Sequence, residues 1–539
     1  MFVCKGPLAV RPTHILLVFF IIGVFLFGAQ RGVVTPPSSP LLKDAEVNED
    51  GSASAEELYL ARLGRELGLS QQAIWRAWRI VPSEQSDEWP SVTQVRLNFE
   101  SVSSKTIDIN APDRMDLYAK KRMQLPVPVS PMLDQVDASD FLFGISTTVA
   151  RIADRDYAMV KAWSRWLTDG HHHANGASLV VVLDQARPDE LEEIDNVLQA
   201  TGIDCWVTST DEPMSMARRY VELTRILRTF AANMEMNGQE KRWFGLVEDE
   251  VFFPSLANLR DRLFAYNTDS PVYIGVPSER PDWSEGGKAT TTFGGGVVIF
   301  SRSAVSVTAS LPCFESGQTM SFTSKRWDEL LQTCILKNTD MNMHVLPGFF
   351  SPNDEAAVAD TQSDSYEMGL QPLLLRRYGE RHLLDVNKAH LVTNVCGEAC
   401  FMQRYLFRDN WVLVNGVSLN HYPDGVEVHI LSENRYDEDD DGAHGKDVDR
   451  ETPTSHKKSS SPSTPQTPDR IVIDDNIAEI DRAQIIWTGR RDSWRLMDSA
   501  TTKDGSVWQA YVRKAGRGSE DNKDSVIVLI WEIPKPAAS

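Results

Sequence analysis

From Phe141 onward, apolar runs too short for anything but strands alternate with longer amphipathic runs, and this order limits the fold more than any other feature of the chain. Phe141–Ser146 (FLFGIS) and Ser178–Leu183 (SLVVVL) are apolar without polar alternation. That is the pattern of strands covered on both faces. Between and after them, helical spacing predicts helices over Ala153–Leu167, Asp189–Ala200 and Ala217–Met234, with further strands at Cys205–Val207 and Trp243–Val247. A βαβα order predicts a mostly parallel α/β sheet flanked by helices. Ligands of such sheets bind beyond the carboxyl ends of the strands.

The 539 residues carry a formal net charge of −21, which argues against a broad nucleic-acid-binding surface. Ile15–Ala29 is apolar and uncharged, with Lys5 and Arg11 before it. A cleaved signal would place Phe27 at the −3 position, where a small residue is wanted, so a signal anchor is favoured. The basic flank predicts a cytosolic tail (residues 1–14), a membrane segment (15–29) and a luminal remainder. Residues 30–53, rich in Pro, Ser and acids, read as a flexible stem. Helical spacing from Glu56 to Trp78 predicts a packing helix at the start of a lead-in, 54–138. The main domain is expected over 139–432, an acidic then Ser/Pro-rich linker over 433–469, and a small C-terminal β unit over 470–539.

The most informative segment is Trp243-Phe244-Gly245-Leu246-Val247-Glu248-Asp249-Glu250-Val251-Phe252-Phe253. A buried strand ends in three carboxylates, which is chemistry suited to a divalent cation shared with substrate phosphates. Three surface acids at a strand end would look the same. Other acidic or histidine runs are decoys. Asp437–Asp441 opens like a calcium loop but has Val448 at its twelfth position. His171-His172-His173 falls in a loop between helix and strand.

Around this segment the chain resembles glycosyltransferase family 31, in its Fringe-like branch. The resemblance is carried in order by Phe143-Gly144-Ile145-Ser146-Thr147-Thr148 with Arg151, Arg219-Tyr220, the acidic triplet, and Tyr273-Ile274-Gly275 with Ser278-Glu279. It continues through Phe293-Gly294-Gly295-Gly296 with Ser301, Val395–Arg404, and Val414–Ser418. It implies a GT-A-like (Rossmann-like) fold and an inverting transfer of a hexose or N-acetylhexosamine. The donor would be a sugar nucleotide, with UDP-sugars typical, and the acceptor a hydroxyl of a glycan or glycoprotein. Mn²⁺ would be the cofactor and the Golgi membrane the place, in single-pass type II orientation.

The same resemblance implies site roles. Asp328 is the candidate general base, and Asp249 and Glu250 are the candidate metal ligands. The donor is expected on Thr147, Thr148, Arg151, Arg219, Glu248, Asp249, Glu279 and Gly294 to Gly296. Disulfides are expected between Cys313 and Cys334 and between Cys396 and Cys400, leaving Cys205 free.

The departures are chemical. Two glutamates stand where the family has aspartates, and Arg376-Arg377 stand where it has a histidine pair that includes a metal ligand. Phe350 stands at a further histidine position. Arginine cannot ligate a metal. Three readings stay open in the sequence: arginines neutralise the diphosphate directly, the site has decayed into a binding protein, or His382 or His390 is the real ligand.

Overall fold

The computed structural model describes residues 53–84, 92–128, 136–276, 294–313, 326–346, 372–376, 384–431, 471–473, 482–516 and 523–533. By contact the chain divides at Pro37, and every described residue belongs to the unit Ser38–Ser539. Among the described residues no helix is long and apolar enough to cross a membrane. The expected anchor, Ile15–Ala29, lies outside them, as do Glu279, Phe350, Arg377 and His382.

The central sheet has eight strands: β1 (Phe141–Thr147), β2 (Ser178–Leu183), β3 (Asp204–Ser209), β4 (Trp243–Val247), β5 (Tyr273–Val276), β6 (Gly294–Ser301), β7 (Met343–Val345) and β8 (Ile471–Ile473). Their spatial order is β3-β2-β1-β4-β6-β5-β7-β8. Five neighbour pairs run parallel. Strand β6 runs antiparallel to both of its neighbours. The mostly parallel sheet read from the sequence is therefore present. The order 3-2-1 turns back to 4 between β1 and β4, the topological switch point where ligands of open α/β sheets bind.

Both faces of the sheet are covered, which explains the unbroken apolar strands. Phe143, Leu179 and Val181 pack on one side with Trp163 and Trp166 of helix α1 (Val149–Leu167) and with Ile194 of α2 (Pro188–Ala200). Leu142, Val180 and Val182 pack on the other with Tyr220, Leu223 and Leu227 of α3 (Met216–Met236) and Trp327 of α4 (Trp327–Asn338). Helix α3 comes so close to β1 that a Cβ on Gly144 would lie 2.9 Å from Leu223 Cγ. Residues Asp154 to Tyr157 interrupt α1 with non-helical backbone.

The lead-in departs from expectation. The helix stops at Leu67, where Gly68 takes a left-handed conformation and donates its N–H to the Gly64 carbonyl. This is an ordinary glycine stop. Gln72–Glu84 is then a strand, not helix. Aromatic and small residues there alternate with period two: Trp75 packs with Tyr59 and Leu63 of the preceding helix, and Trp78 faces the main core.

This strand pairs in parallel with Asp524–Trp531, so the early and late parts of the domain lie side by side in a ten-stranded sheet. Among the described residues, the segment after Arg470 does not form a sheet of its own. Ile471–Ile473 extends the central sheet, Arg482–Trp487 pairs with Val426–Leu431, and Asp492–Thr501 pairs with Ser418–His421. Trp78, Trp411, Trp494 and Trp531 join the core that also covers β1 and β2.

Candidate functional site

At the switch point, the carboxyl ends of β1 and β4 bring two distant segments together. Thr147 ends β1, and its hydroxyl donates to Asp249 Oδ2. Thr148 caps α1, its Oγ1 accepting the Arg151 N–H at 3.3 Å, so Arg151 projects from the first helical turn. The Arg151 guanidinium donates from Nε to Asp249 Oδ2 at 2.7 Å and from Nη2 to Asp249 Oδ1 at 2.8 Å, and approaches Glu250 at 3.3 Å. Behind it, Trp163 Nε1 donates to the Asp249 carbonyl at 3.0 Å. Asp249 is buried, while Arg151 is half exposed.

Glu248 points the other way. It accepts a hydrogen bond from Trp327 Nε1 at 3.0 Å, and its N–H donates to the Gly296 carbonyl at 2.9 Å. Gly296 has φ +85°, and a Cβ there would lie 2.7 Å from Glu248 Oε2. Both facts require glycine. On its far side, the Gly296 N–H donates to Asp328 Oδ2 at 3.2 Å. Gly296 thus sits between the acidic triplet and the candidate base. Gly294 opens β6 and pairs with Val276 across a register shift.

Asp328 is 1% exposed. Besides Gly296 it accepts from Arg326 Nε at 3.1 Å, from Arg326 Nη2 at 2.7 Å and from the Glu329 N–H at 3.0 Å. The hydrogen bond to Asp328 holds the Arg326 guanidinium above its ordinary pKa. Burial, with the Asp328 charge second, raises the neighbouring Tyr273 phenol well above its ordinary range.

Arg219, buried in α3, ties the strand ends together. It donates to Ser146 Oγ at 2.8 Å and to the Met214 carbonyl at 2.8 Å, and pairs with Asp184 at 2.8 Å. Arg376 is buried and lies on a short strand, Leu375–Arg376, whose register sets it opposite Val251. Arg376 therefore lies beside the short strand that follows the acidic triplet.

His390 is buried as well, but its Nε2 engages the Pro254 carbonyl at 3.1 Å. Burial, and secondly the Arg165 charge, pushes its pKa down to about 3. Among the described residues no group of three or more His, Cys, Asp or Glu is placed to hold a metal ion. Both Asp249 oxygens are engaged by Arg151 and Thr147. Among the described residues, Asp249 is thus neutralised by arginine.

The disulfides Cys313–Cys334 and Cys396–Cys400 are both formed, and Cys205 is free. The first anchors α4, which carries Asp328, to the chain following β6. Four residues matter here that the sequence did not assign to the site: Trp163, Trp327, Arg326 and Tyr220. Tyr220 stacks on Trp327 at 3.9 Å between ring centroids and donates to the Val247 carbonyl at 2.8 Å. The available signal was the run Arg326-Trp327-Asp328, in which Arg326 binds Asp328, Asp328 accepts from Gly296 and Trp327 donates to Glu248.

No family model matches the chain, and no curated protein matches it. Among solved structures it resembles the glycosyltransferase GlyE of Streptococcus pneumoniae TIGR4 at 12% identity and TM-score 0.28, covering 44% of this chain and 54% of that one. It thus spans about half the length of GlyE. It also resembles the inositol-1-phosphate CTP transferase of T. maritima at 14% identity and TM-score 0.22, covering 38% of this chain and 86% of that one. A third similar structure is a glycosyltransferase involved in glycosylation of the major capsid of PBCV-1, at 11% identity and TM-score 0.22, covering 44% and 93% of the two chains. Likeness at this level carries no assignment of fold or activity.

Proposed function

We propose that this chain is an inverting glycosyltransferase with a GT-A-like fold, related to the Fringe-like branch of family 31 and using a UDP-sugar as donor. The observation that supports it is the convergence at one switch point of Thr147, Arg151, the 248–250 triplet, Gly296 and Asp328, from four separated stretches of sequence. A glycan or glycoprotein hydroxyl is the acceptor in this reading, and anchorage in the Golgi membrane by residues 15–29 belongs to the same proposal.

In the mechanism we propose, Arg151 leaves Asp249 for the donor diphosphate. Half-exposed Arg151 can swing out while Asp249 keeps the Thr147 hydroxyl, and an arginine fork on phosphate is among the stronger hydrogen-bonded pairs. Arg376, beside the triplet, adds a second positive charge. The acceptor oxygen then attacks the anomeric carbon and the bond from that carbon to the diphosphate oxygen breaks. UDP leaves with the electron pair, and the acceptor proton passes to Asp328. Asp328 can take it only after Arg326, itself half exposed, has moved off.

The saturation of Asp328 by four hydrogen bonds favours a second reading, in which the site binds a nucleotide without turnover. Purified protein incubated with UDP-sugars in EDTA and in Mn²⁺ separates the readings. Release of UDP in both buffers supports arginine-neutralised transfer. Release in Mn²⁺ alone replaces that neutralisation with a cation, and binding without release supports the second reading.

A further inference from the structure

Behind the acidic triplet lies a carboxyl group that the proposed mechanism does not use. Glu398 is 3% exposed and makes no ion pair among the described residues. Its Oε2 accepts a hydrogen bond from Ser255 Oγ at 2.7 Å, and Ser255 Oγ in turn accepts the Asn258 N–H at 3.1 Å. Ser255 is the N-cap of the helix Leu256–Leu263, so one carboxyl group fixes both the rotamer of the cap and the start of that helix.

A second tie lies one residue earlier, where His390 engages the Pro254 carbonyl. The His390 ring meets Phe252 and Phe401 edge-on, with centroids 5.2 and 5.3 Å away. Phe252 belongs to the two-residue strand that faces Leu375–Arg376. Its neighbour Val251 donates its N–H to the Glu248 carbonyl at 3.2 Å, closing the acidic turn.

Glu398 and His390 thus hold the residues through which the triplet is anchored to the domain. Glu398 is mounted in a small covalent ring. The disulfide Cys396–Cys400 closes around it, Gly397 takes φ +79°, and Asn415 Nδ2 donates to the Cys400 carbonyl at 2.8 Å. A buried carboxyl without a cation partner is costly to keep. Here it is fixed by a crosslink and aimed at one hydroxyl.

We propose that Glu398 is a positioning residue for the acidic triplet, with the Cys396–Cys400 ring as its rigid mount, so that nucleotide binding depends on this disulfide. The coupling to nucleotide rests on the function proposed above, whereas the clamp itself does not. Misplacing such a site by about 1 Å costs up to about a hundredfold, and a loss of about tenfold in affinity is expected from loosening one of two ties.

The test uses the whole protein and two readouts, amide exchange at Val251 and Asn258 without ligand, and calorimetry with UDP as probe. Glu398→Ala is expected to speed exchange at both amides and to weaken UDP binding about tenfold. Glu398→Gln, which keeps an acceptor for Ser255, is expected to restore both. Cys396→Ser/Cys400→Ser is expected to follow Glu398→Ala, and Cys205→Ser, at the free thiol, is not. If Glu398→Ala does not fold, Ser255→Ala removes the same hydrogen bond from the other partner. Unchanged exchange at Val251 in Glu398→Ala or Ser255→Ala, or failure of glutamine to rescue, overturns the proposal. Should the wild type not bind UDP at all, exchange still decides the clamp, and the result counts against the proposed function alone.

Discussion

Arg151 holds Asp249 through two parallel hydrogen bonds of 2.7 and 2.8 Å, joining the first turn of α1 to the turn after β4 across the switch point of the sheet. Asp249 is buried and Arg151 half exposed. The arginine can therefore exchange partners while the aspartate stays. This asymmetry is what makes the pair a candidate donor site rather than a structural ion pair.

Replacing Arg151 by methionine keeps much of the aliphatic bulk and removes the fork. Charge-assisted hydrogen bonds contribute about 1.5–3 kcal/mol, so UDP binding in EDTA is expected to weaken about tenfold to a hundredfold. The melting temperature should also fall, since the buried Asp249 carboxylate loses its cation partner. Calorimetry alongside a thermal melt checks both. Unaltered affinity would remove Arg151 from the site.

Gly296→Ala is expected to be destabilising and to disturb binding together. The new Cβ meets the Glu248 carboxylate at 2.7 Å in a left-handed conformation, at a cost of about 1–3 kcal/mol for the backbone alone. Denaturant unfolding measures the first effect and UDP titration the second. An alanine variant of wild-type stability would mean that the turn has another conformation in solution.

Glu398 links stability to pH. Burial raises its carboxyl from 4.5 to about 7. The folded state therefore binds the proton more tightly than the unfolded one. The resulting stability is complete below about pH 4.5 and is lost as pH rises through 7. The interval corresponds to about 3 kcal/mol. Glu398→Gln should flatten this decline, and chemical denaturation at pH 5 and pH 8 reads the difference. Equal pH dependence in the variant and the wild type would contradict it.

His390 acts in the opposite direction. Its pKa is pushed from 6.5 to about 3 by burial, so the folded state keeps the ring neutral while the unfolded state takes up a proton. Stability attributable to this residue is present above 6.5 and falls as pH drops towards 3. His390→Phe should reduce acid sensitivity in that window, as seen by unfolding at pH 4 against pH 7. A variant with the wild-type acid profile would show that other groups carry the effect.

The central sheet was legible because buried parallel strands leave a signature that needs no tertiary information, and SLVVVL is strand over the residues read from sequence. The Gln72–Glu84 strand was not. Trp75 and Trp78 are three apart, which suits a helix face as well as two faces of a strand, and the partner that decides the matter is Asp524–Trp531, over four hundred residues away. The strand Asp492–Thr501 went unread because Arg495, Asp498 and Ser499 interrupt its apolar pattern. Asp498 is buried there against Arg62 and Lys388. At the site, Asp249, Arg151, Gly296 and Arg376 could be nominated from residue type and order. Asp328 could be nominated too, but its enclosure by Arg326 could not, since a neighbouring opposite charge does not reveal whether two side chains turn towards each other.

The most direct test of the account is turnover by Asp328→Asn. The wild-type protein and the variant are given the UDP-sugar that the wild type hydrolyses or transfers, and released UDP is measured alongside UDP affinity. A rate lowered about a hundredfold to ten-thousandfold is expected, the range for loss of a general base, with affinity nearly unchanged. Equal rates in the two proteins, or no turnover of any UDP-sugar by the wild type in either EDTA or Mn²⁺, would contradict it.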